Sequence, residues 1–337
     1  MRFPYAPASV AAVTLVGLLA ASAPASAFCR TTTVPVPADY DPQLGCWTQG
    51  KPIFWLNHCV GYSLNRDASR KVTLAQATDG MAVAFSRWSE ASCDGGGNPS
   101  VAATDEGPVA CETVRYNQTA PNSHVIVFRD ERWPHENDAN NTLALTTVTF
   151  NVDDGAIYDA DMEINSTQNI SVSAVPPPNT YDFASIVTHE TGHFLGLAHS
   201  VDNGAIMYAH YKPGGAVSLT ADDRSGICTI YDPGGQRSSA GGAVPEGACD
   251  ATPRHGFGNC ELPDGGVIRL ADGGIAEAPD LAAPTTSGSS GCAISSAPAS
   301  ESAVAASLLA MAAGSLALVR RRARASRVAR SVQGGRR

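Results

Sequence analysis

His189-Glu190-Thr191-Gly192-His193-Phe194-Leu195-Gly196-Leu197-Ala198-His199-Ser200 reads H-E-x-x-H-x-x-G-x-x-H-S. A helix turns by about 100° per residue, so positions four apart share one face. His189 and His193 therefore aim two imidazoles at a single point. Glu190, next to His189, leans towards that point without being a ligand. Gly196 lets the chain leave the helix, because glycine accepts positive φ without a Cβ clash. His199 can then fold back as a third ligand. Three neutral imidazoles with one open position make a catalytic Zn²⁺ site. Glu190 is expected to act there as general base on a zinc-bound water, in peptide-bond hydrolysis. Three of the chain's eight histidines fall in this one register, which favours a metal site over a helix with scattered solvated histidines.

The extended motif resembles that of the metzincin zinc metalloproteases, and Ser200 after the third His is similar to the matrixin (matrix-metalloproteinase-like) branch. Ala205-Ile206-Met207-Tyr208-Ala209-His210-Tyr211 resembles the matrixin Met-turn, with Ala209 where proline is usual. The resemblance places Met207 beneath the zinc-binding histidines and assigns Tyr208 and Tyr211 to the Met-turn and substrate pocket, Tyr211 walling the pocket for the residue after the scissile bond. Leu219 to Ile227 is similar to the family's final helix. The likeness runs from Pro52 to Tyr231. It implies an α+β fold: a metzincin-like zinc protease domain with a twisted mixed five-stranded sheet and about three helices. An irregular linker and a C-terminal apolar helix follow.

Residues 1–27 read as a signal peptide, with Arg2, an apolar run and Ala25-Ser26-Ala27 before Phe28. A short N-terminal extension (28–51) precedes the catalytic domain (52–235). Pro52 to Ser63 has the composition of an edge strand. Val72 to Trp88 carries Leu74, Ala77, Met81, Ala84, Phe85 and Trp88 at helical spacing. Ala91 to Thr119 reads as loop. His124 to Arg129, Leu143 to Asn151 and Ala156 to Ile164 read as strands, the last two joined at Asp153-Asp154-Gly155. The zinc helix is expected from Phe183 to Leu197 behind Asp182, and Thr220 caps the last helix with Asp223 at the capping-box position.

Alternation along the last strand puts Asp159, Asp161 and Glu163 on one face. The resemblance suggests Ca²⁺ there; an acidic solvated face is the other reading. Only His135 lies nearby, so a second zinc is not expected. Of nine cysteines, the eight before Cys292 suggest disulfides in an oxidising compartment. Cys93–Cys111 and Cys249–Cys260 are the pairings expected, because each pair brackets a Gly/Pro-containing loop. Gly45-Cys46-Trp47 lacks the pattern around the family's propeptide cysteine, so Cys46 is read as a disulfide partner.

Residues 236–291 are Gly-, Ser- and Pro-rich and read as linker with one small disulfide loop. Residues 292–337 carry an apolar run, Ala303 to Val319, followed by arginines. Gly291-Cys292, the apolar helix and the arginines resemble the sorting tail of myxobacterial surface proteins, with a plain single-span anchor as the other reading. The tail is expected to matter for location and to contribute nothing to the cleft. Eight Arg lie from Arg320 onward, leaving 15 basic against 32 acidic residues before it. An acidic chain of this kind has no electrostatic footprint for nucleic acid. The expected whole is a monomeric, exported endopeptidase at the cell surface, acting on protein or peptide substrates, with membrane contact through the tail before processing. A binding module on a catalytically weak scaffold of the same kind is the rival reading.

Overall fold

The computed structural model describes residues 28–37, 39–135, 142–213 and 217–260, and the backbone of 290–295. The leader, the apolar run and the terminal arginines lie outside the described residues. Among the described residues, no helix is long and apolar enough to cross a membrane.

Five strands of the body form a mixed sheet: β1 (Cys59–Leu64), β2 (Ala102–Asp105), β3 (Val125–Phe128), β4 (Thr142–Phe150) and β5 (Ile157–Ile164). Two hairpin strands follow, β6 (Gln236–Ser239) and β7 (Gly242–Pro245), and then β8 (Ser290–Ser295). The sheet order is β8-β4-β5-β3-β1-β2. β1 runs parallel to β2 and β3, and β3 parallel to β5, while β4 is antiparallel to β5 and β8 to β4. The fold expected from the resemblance is thus present, and the tail supplies a sixth strand. That strand spans the boundary expected at Cys292.

Three helices accompany the sheet: α1 (Leu74–Ser89), α2 (Phe183–Phe194) and α3 (Ala221–Ile230). α1 forms where the apolar spacing placed it. Thr73 and Gln76 close a capping box at its start, and its buried stripe is Ala77, Met81, Ala84, Phe85 and Trp88. These residues pack with Ile186, Val187 and Phe194 of α2 in one core. Trp88 Nε1 donates to the Thr188 carbonyl at 2.9 Å, which fixes α1 against the middle of α2.

Two strand expectations shift. The edge strand expected at 52–63 is instead β1, paired on both sides. The outer strand is β2, four residues of partly exposed Ala-Ala-Thr-Asp with no apolar alternation to reveal it.

The disulfides also differ. Cys29–Cys46 closes the N-terminal extension, but the others are Cys59–Cys249, Cys93–Cys228 and Cys111–Cys260. The expected pairs each bracket a Gly/Pro-containing loop, whereas these bridges span 190, 135 and 149 residues. Closing loops of that size stabilises a fold by on the order of 5 kcal/mol each in the chain-entropy account. Two of them bind residues 249–260, read from sequence as linker, onto the body. The β6–β7 hairpin is held by buried Arg237, which donates to the Trp55 and Ser100 carbonyls at 2.9 and 2.7 Å. A hairpin anchored by one arginine, followed by a segment held by sulfur, leaves little apolar pattern to read.

Candidate metal centre

α2 starts at Asp182, whose carboxylate accepts from the Ala184 and Ser185 amides. It was expected to reach Leu197 but stops at Phe194. Gly196 lies at φ +94°, where a Cβ would come within 3.0 Å of the Ile53 carbonyl oxygen. The turn sends the chain back, and His199 rejoins the face carrying His189 and His193. Ligand nitrogens of the three histidines lie within 4.8 Å of one another. His189 and His193 are fully buried, and His199 half-buried.

Hydrogen bonds orient two of the rings. His189 Nδ1 lies 2.7 Å from the Ile206 carbonyl oxygen, and His193 Nδ1 lies 2.8 Å from that of Leu197. A carbonyl only accepts, so each Nδ1 carries the proton and each Nε2 presents a lone pair. Those two Nε2 atoms are 3.0 Å apart. Two lone pairs facing at that distance repel unless a cation lies between them. Burial drives the His189 pKa down to about 4. Burial, then the neighbouring His189 and His199, drive His193 well below the ordinary value. With His189 and His193 neutral and tethered outward and His199 converging on them, this donor set fits Zn²⁺ with one coordination position left over.

Glu190 is fully buried beside them. Its Oε2 accepts from Thr146 Oγ1 of β4 at 2.6 Å, and its backbone carbonyl accepts from the same hydroxyl at 3.3 Å. This ties the carboxylate to the sheet. Thr146 could not be found from sequence, since strand alternation gives a side chain's face and not its partner.

Met207 is buried beneath the helix. Gly192 makes the space for it, since a Cβ there would run into the Met207 sulfur and come within 2.9 Å of Trp88 Cζ2. The turn is pinned by Asp223 of α3, a buried residue that sequence reading treated only as a cap. Its Oδ2 accepts from the Thr220 and Ile206 amides at 2.8 and 2.9 Å, and its Oδ1 from the Met207 amide at 3.1 Å. Ile206, held this way at its nitrogen, offers its carbonyl to His189. An aspartate at the capping-box position therefore sets the neighbour of a candidate ligand. Tyr211 Oη accepts from the Asp182 amide at 2.9 Å, which places its ring at the start of α2. Tyr208 is half-buried, 4.9 Å under the Lys212 ammonium.

The acids of β5 do share a face, but not a solvated one: Asp159, Asp161 and Glu163 are all buried. Glu163 has one oxygen 2.6 Å from Arg129 Nε and the other 2.7 Å from His135 Nε2. Asp161 accepts from the Val125 amide at 2.8 Å. Burial pushes the Asp161 pKa up to about 7, and burial with the Asp161 charge raises Asp159 well above the usual carboxylate range. Ca²⁺ takes six to eight oxygens. Here one of three acids is spent on Arg129 and His135 and the other two crowd each other, so these residues as placed do not form a calcium cage.

A family model described as Matrixin matches residues 54–232. Interstitial collagenase of Oryctolagus cuniculus is 42% identical over 71 residues, 21% of this chain and 15% of that protein. Metalloendoproteinase 1-MMP of Arabidopsis thaliana is 45% identical over 53 residues, 15% of each chain. Neutrophil collagenase of Homo sapiens is 47% identical over 53 residues, 15% of this chain and 11% of that protein. The matches thus span between 11% and 24% of the length of such curated relatives.

Proposed function

The chain belongs to the matrixin family, and from that premise we propose that it is a zinc-dependent metalloendopeptidase that hydrolyses protein or peptide substrates. The observation that carries the reading is the pair of buried Nε2 lone pairs facing each other at 3.0 Å beside Glu190. His189, His193 and His199 would hold the ion. Zinc bound there supplies Lewis-acid polarisation of the scissile carbonyl and acidifies water.

The chain's own residues do the rest. Glu190 holds the proton taken from the attacking water and returns it to the departing amine. Thr146 keeps the receiving carboxylate aimed. A hydrogen bond to a charged group is worth about 1.5–3 kcal/mol, enough to hold one rotamer over its competitors. Asp223 fixes the Met-turn, and through Ile206 the His189 ring, so the ligand geometry is set before substrate arrives. Tyr211, tethered to Asp182, borders the site. Tyr208 takes a place in the same wall.

Export fits the four disulfides, which persist in oxidising compartments. Residues 1–27 are then the cleaved leader, and 292–337 the tail that delivers the protein to the cell surface.

The test is Glu190→Gln. It removes the proton acceptor while keeping the ligands. Zinc content should stay at the parental value while kcat on a peptide falls by about 10²–10⁴-fold. A variant that still cleaves near the parental rate would remove Glu190 from the reaction.

A further inference from the structure

β4 is the outermost strand contributed by the body, and it carries Thr146, the residue that holds Glu190. An open edge of this kind offers a ladder of unpaired amides and carbonyls, to which an extended chain adds as a further strand. Any peptide bond brought to Glu190 by such pairing must lie along β4. In this structure that edge is taken. β8 pairs antiparallel with it from Ser290 opposite Val148 to Ser295 opposite Thr142, and Cys292 stands opposite Thr146. Cα atoms of β8 also come within 8 Å of those of α2. With the strand seated, Glu190 and His189 have no solvent-exposed surface.

We propose that Ser290–Ser295 is an autoinhibitory strand, which fills in cis the β4 edge that an extended substrate needs and keeps the enzyme latent until the tail is withdrawn. This rests on the endopeptidase reading above. The body's last covalent tie is Cys260, bridged to Cys111, so only residues 261–289 connect the strand to the body. A segment tethered in cis acts at about millimolar effective concentration, far above a substrate supplied at micromolar levels. The tail therefore does two jobs in one place: its removal or anchoring frees the edge at the site of delivery.

The experiment uses the full chain carrying Cys292→Pro with Ala293→Pro. Antiparallel ladders bond alternate residues, so one of two consecutive prolines removes a donor to β4 whichever the phase. Amide hydrogen exchange over Leu143–Val148 should quicken relative to the parent. The kcat/KM for an internally quenched peptide should rise at least tenfold. A synthetic peptide of Ser290–Ser295 flanked by its neighbours, added to this variant, should inhibit by raising KM with kcat unchanged. Cys292→Ser alone should stay latent, because the backbone does the blocking. Unchanged exchange, or faster exchange with unchanged kcat/KM, overturns the proposal and leaves the endopeptidase reading standing. Full activity from Cys292→Ser alone overturns strand pairing as the cause. If parent and variant both fail to cleave any peptide while binding zinc, the endopeptidase reading itself fails, and the inhibitory role falls with it.

Discussion

The histidines at α2 and the acids of β5 are both groups of three polar side chains taken largely out of water, yet only the histidines converge on a point. The Nδ1 atoms of His189 and His193 are tied outward to carbonyls, which turns their lone pairs inward, and His199 joins them from beyond the Gly196 turn. The acids are tied in different directions: Glu163 to Arg129 and His135, Asp161 to the Val125 amide. Asp159 is left crowding Asp161. Burial alone therefore does not mark a metal site. What distinguishes the histidines is that the carbonyls behind the His189 and His193 rings turn their Nε2 atoms towards each other, an arrangement that suits a cation between them.

The sharpest way to break this comparison is His193→Ala. Two imidazoles leave zinc under-coordinated, so metal content should drop and kcat/KM should fall by at least about 10³-fold. Elemental analysis beside a peptide assay checks both. Retained metal with lost activity would mean that the histidines do not hold it.

The counterpart in the acidic group is Glu163→Gln, which should leave zinc and kcat near parental. It strips Arg129 and His135 of their carboxylate. Removing one partner of a buried pair costs about 3–5 kcal/mol; Arg129 keeps 22% of its side-chain surface exposed, so the lower end applies. Urea unfolding reads this. A loss of turnover without a loss of stability would give Glu163 a role that its contacts do not.

A third test uses pH. The folded-state pKa of Asp161 is raised to about 7, above its unfolded value. Between the two values the folded state binds the extra proton, so this group's contribution to stability falls as pH rises from about 4 to 7. The slope is at most about 1.4 kcal/mol per pH unit. Buried His124, lowered to about 4 by burial, acts with the opposite sign, so the informative quantity is the parent–variant difference. Asp161→Asn should make the decline shallower without abolishing it, because buried Asp159 is raised as well, seen as urea midpoints at several pH values with chelator present. Were Ca²⁺ bound at Asp159 and Asp161, both would stay ionised, and parent and variant would instead diverge on adding calcium.

The smallest expected effect is that of Thr146→Val. It keeps the strand and the zinc but frees the Glu190 carboxylate, so kcat should fall about tenfold with little change in KM. An equal loss in KM would place Thr146 in substrate binding.

The same contrast explains what the sequence could reveal. Helical spacing specifies direction in space, so the convergence of His189, His193 and, after the Gly196 turn, His199 was legible, as was the α1 stripe from Ala77 to Trp88. Strand alternation specifies only a face. It put Asp159, Asp161 and Glu163 together but could not say that Arg129 and His135 pack over one of them. Asp223 read as an imperfect cap because its second role, holding Ile206 and Met207, is a contact across the fold. The Cys59–Cys249 and Cys111–Cys260 bridges were illegible for the same reason, since pairing follows the folded path rather than proximity in sequence. β8 was missed because Ser-Gly-Cys-Ala-Ile-Ser, with one large apolar residue after a Gly- and Ser-rich stretch, carries no strand pattern of its own; its partner strand supplies the order.

The most direct test of the central claim is to strip the purified protein with chelator and titrate zinc back while following metal content and peptide cleavage together. One zinc per chain should bind, with cleavage returning in proportion and saturating at that single equivalent, and the Glu190→Gln protein should take up the same one equivalent without recovering. Cleavage that survives complete removal of metal, or a chain that binds no zinc at His189, His193 and His199, would contradict the account.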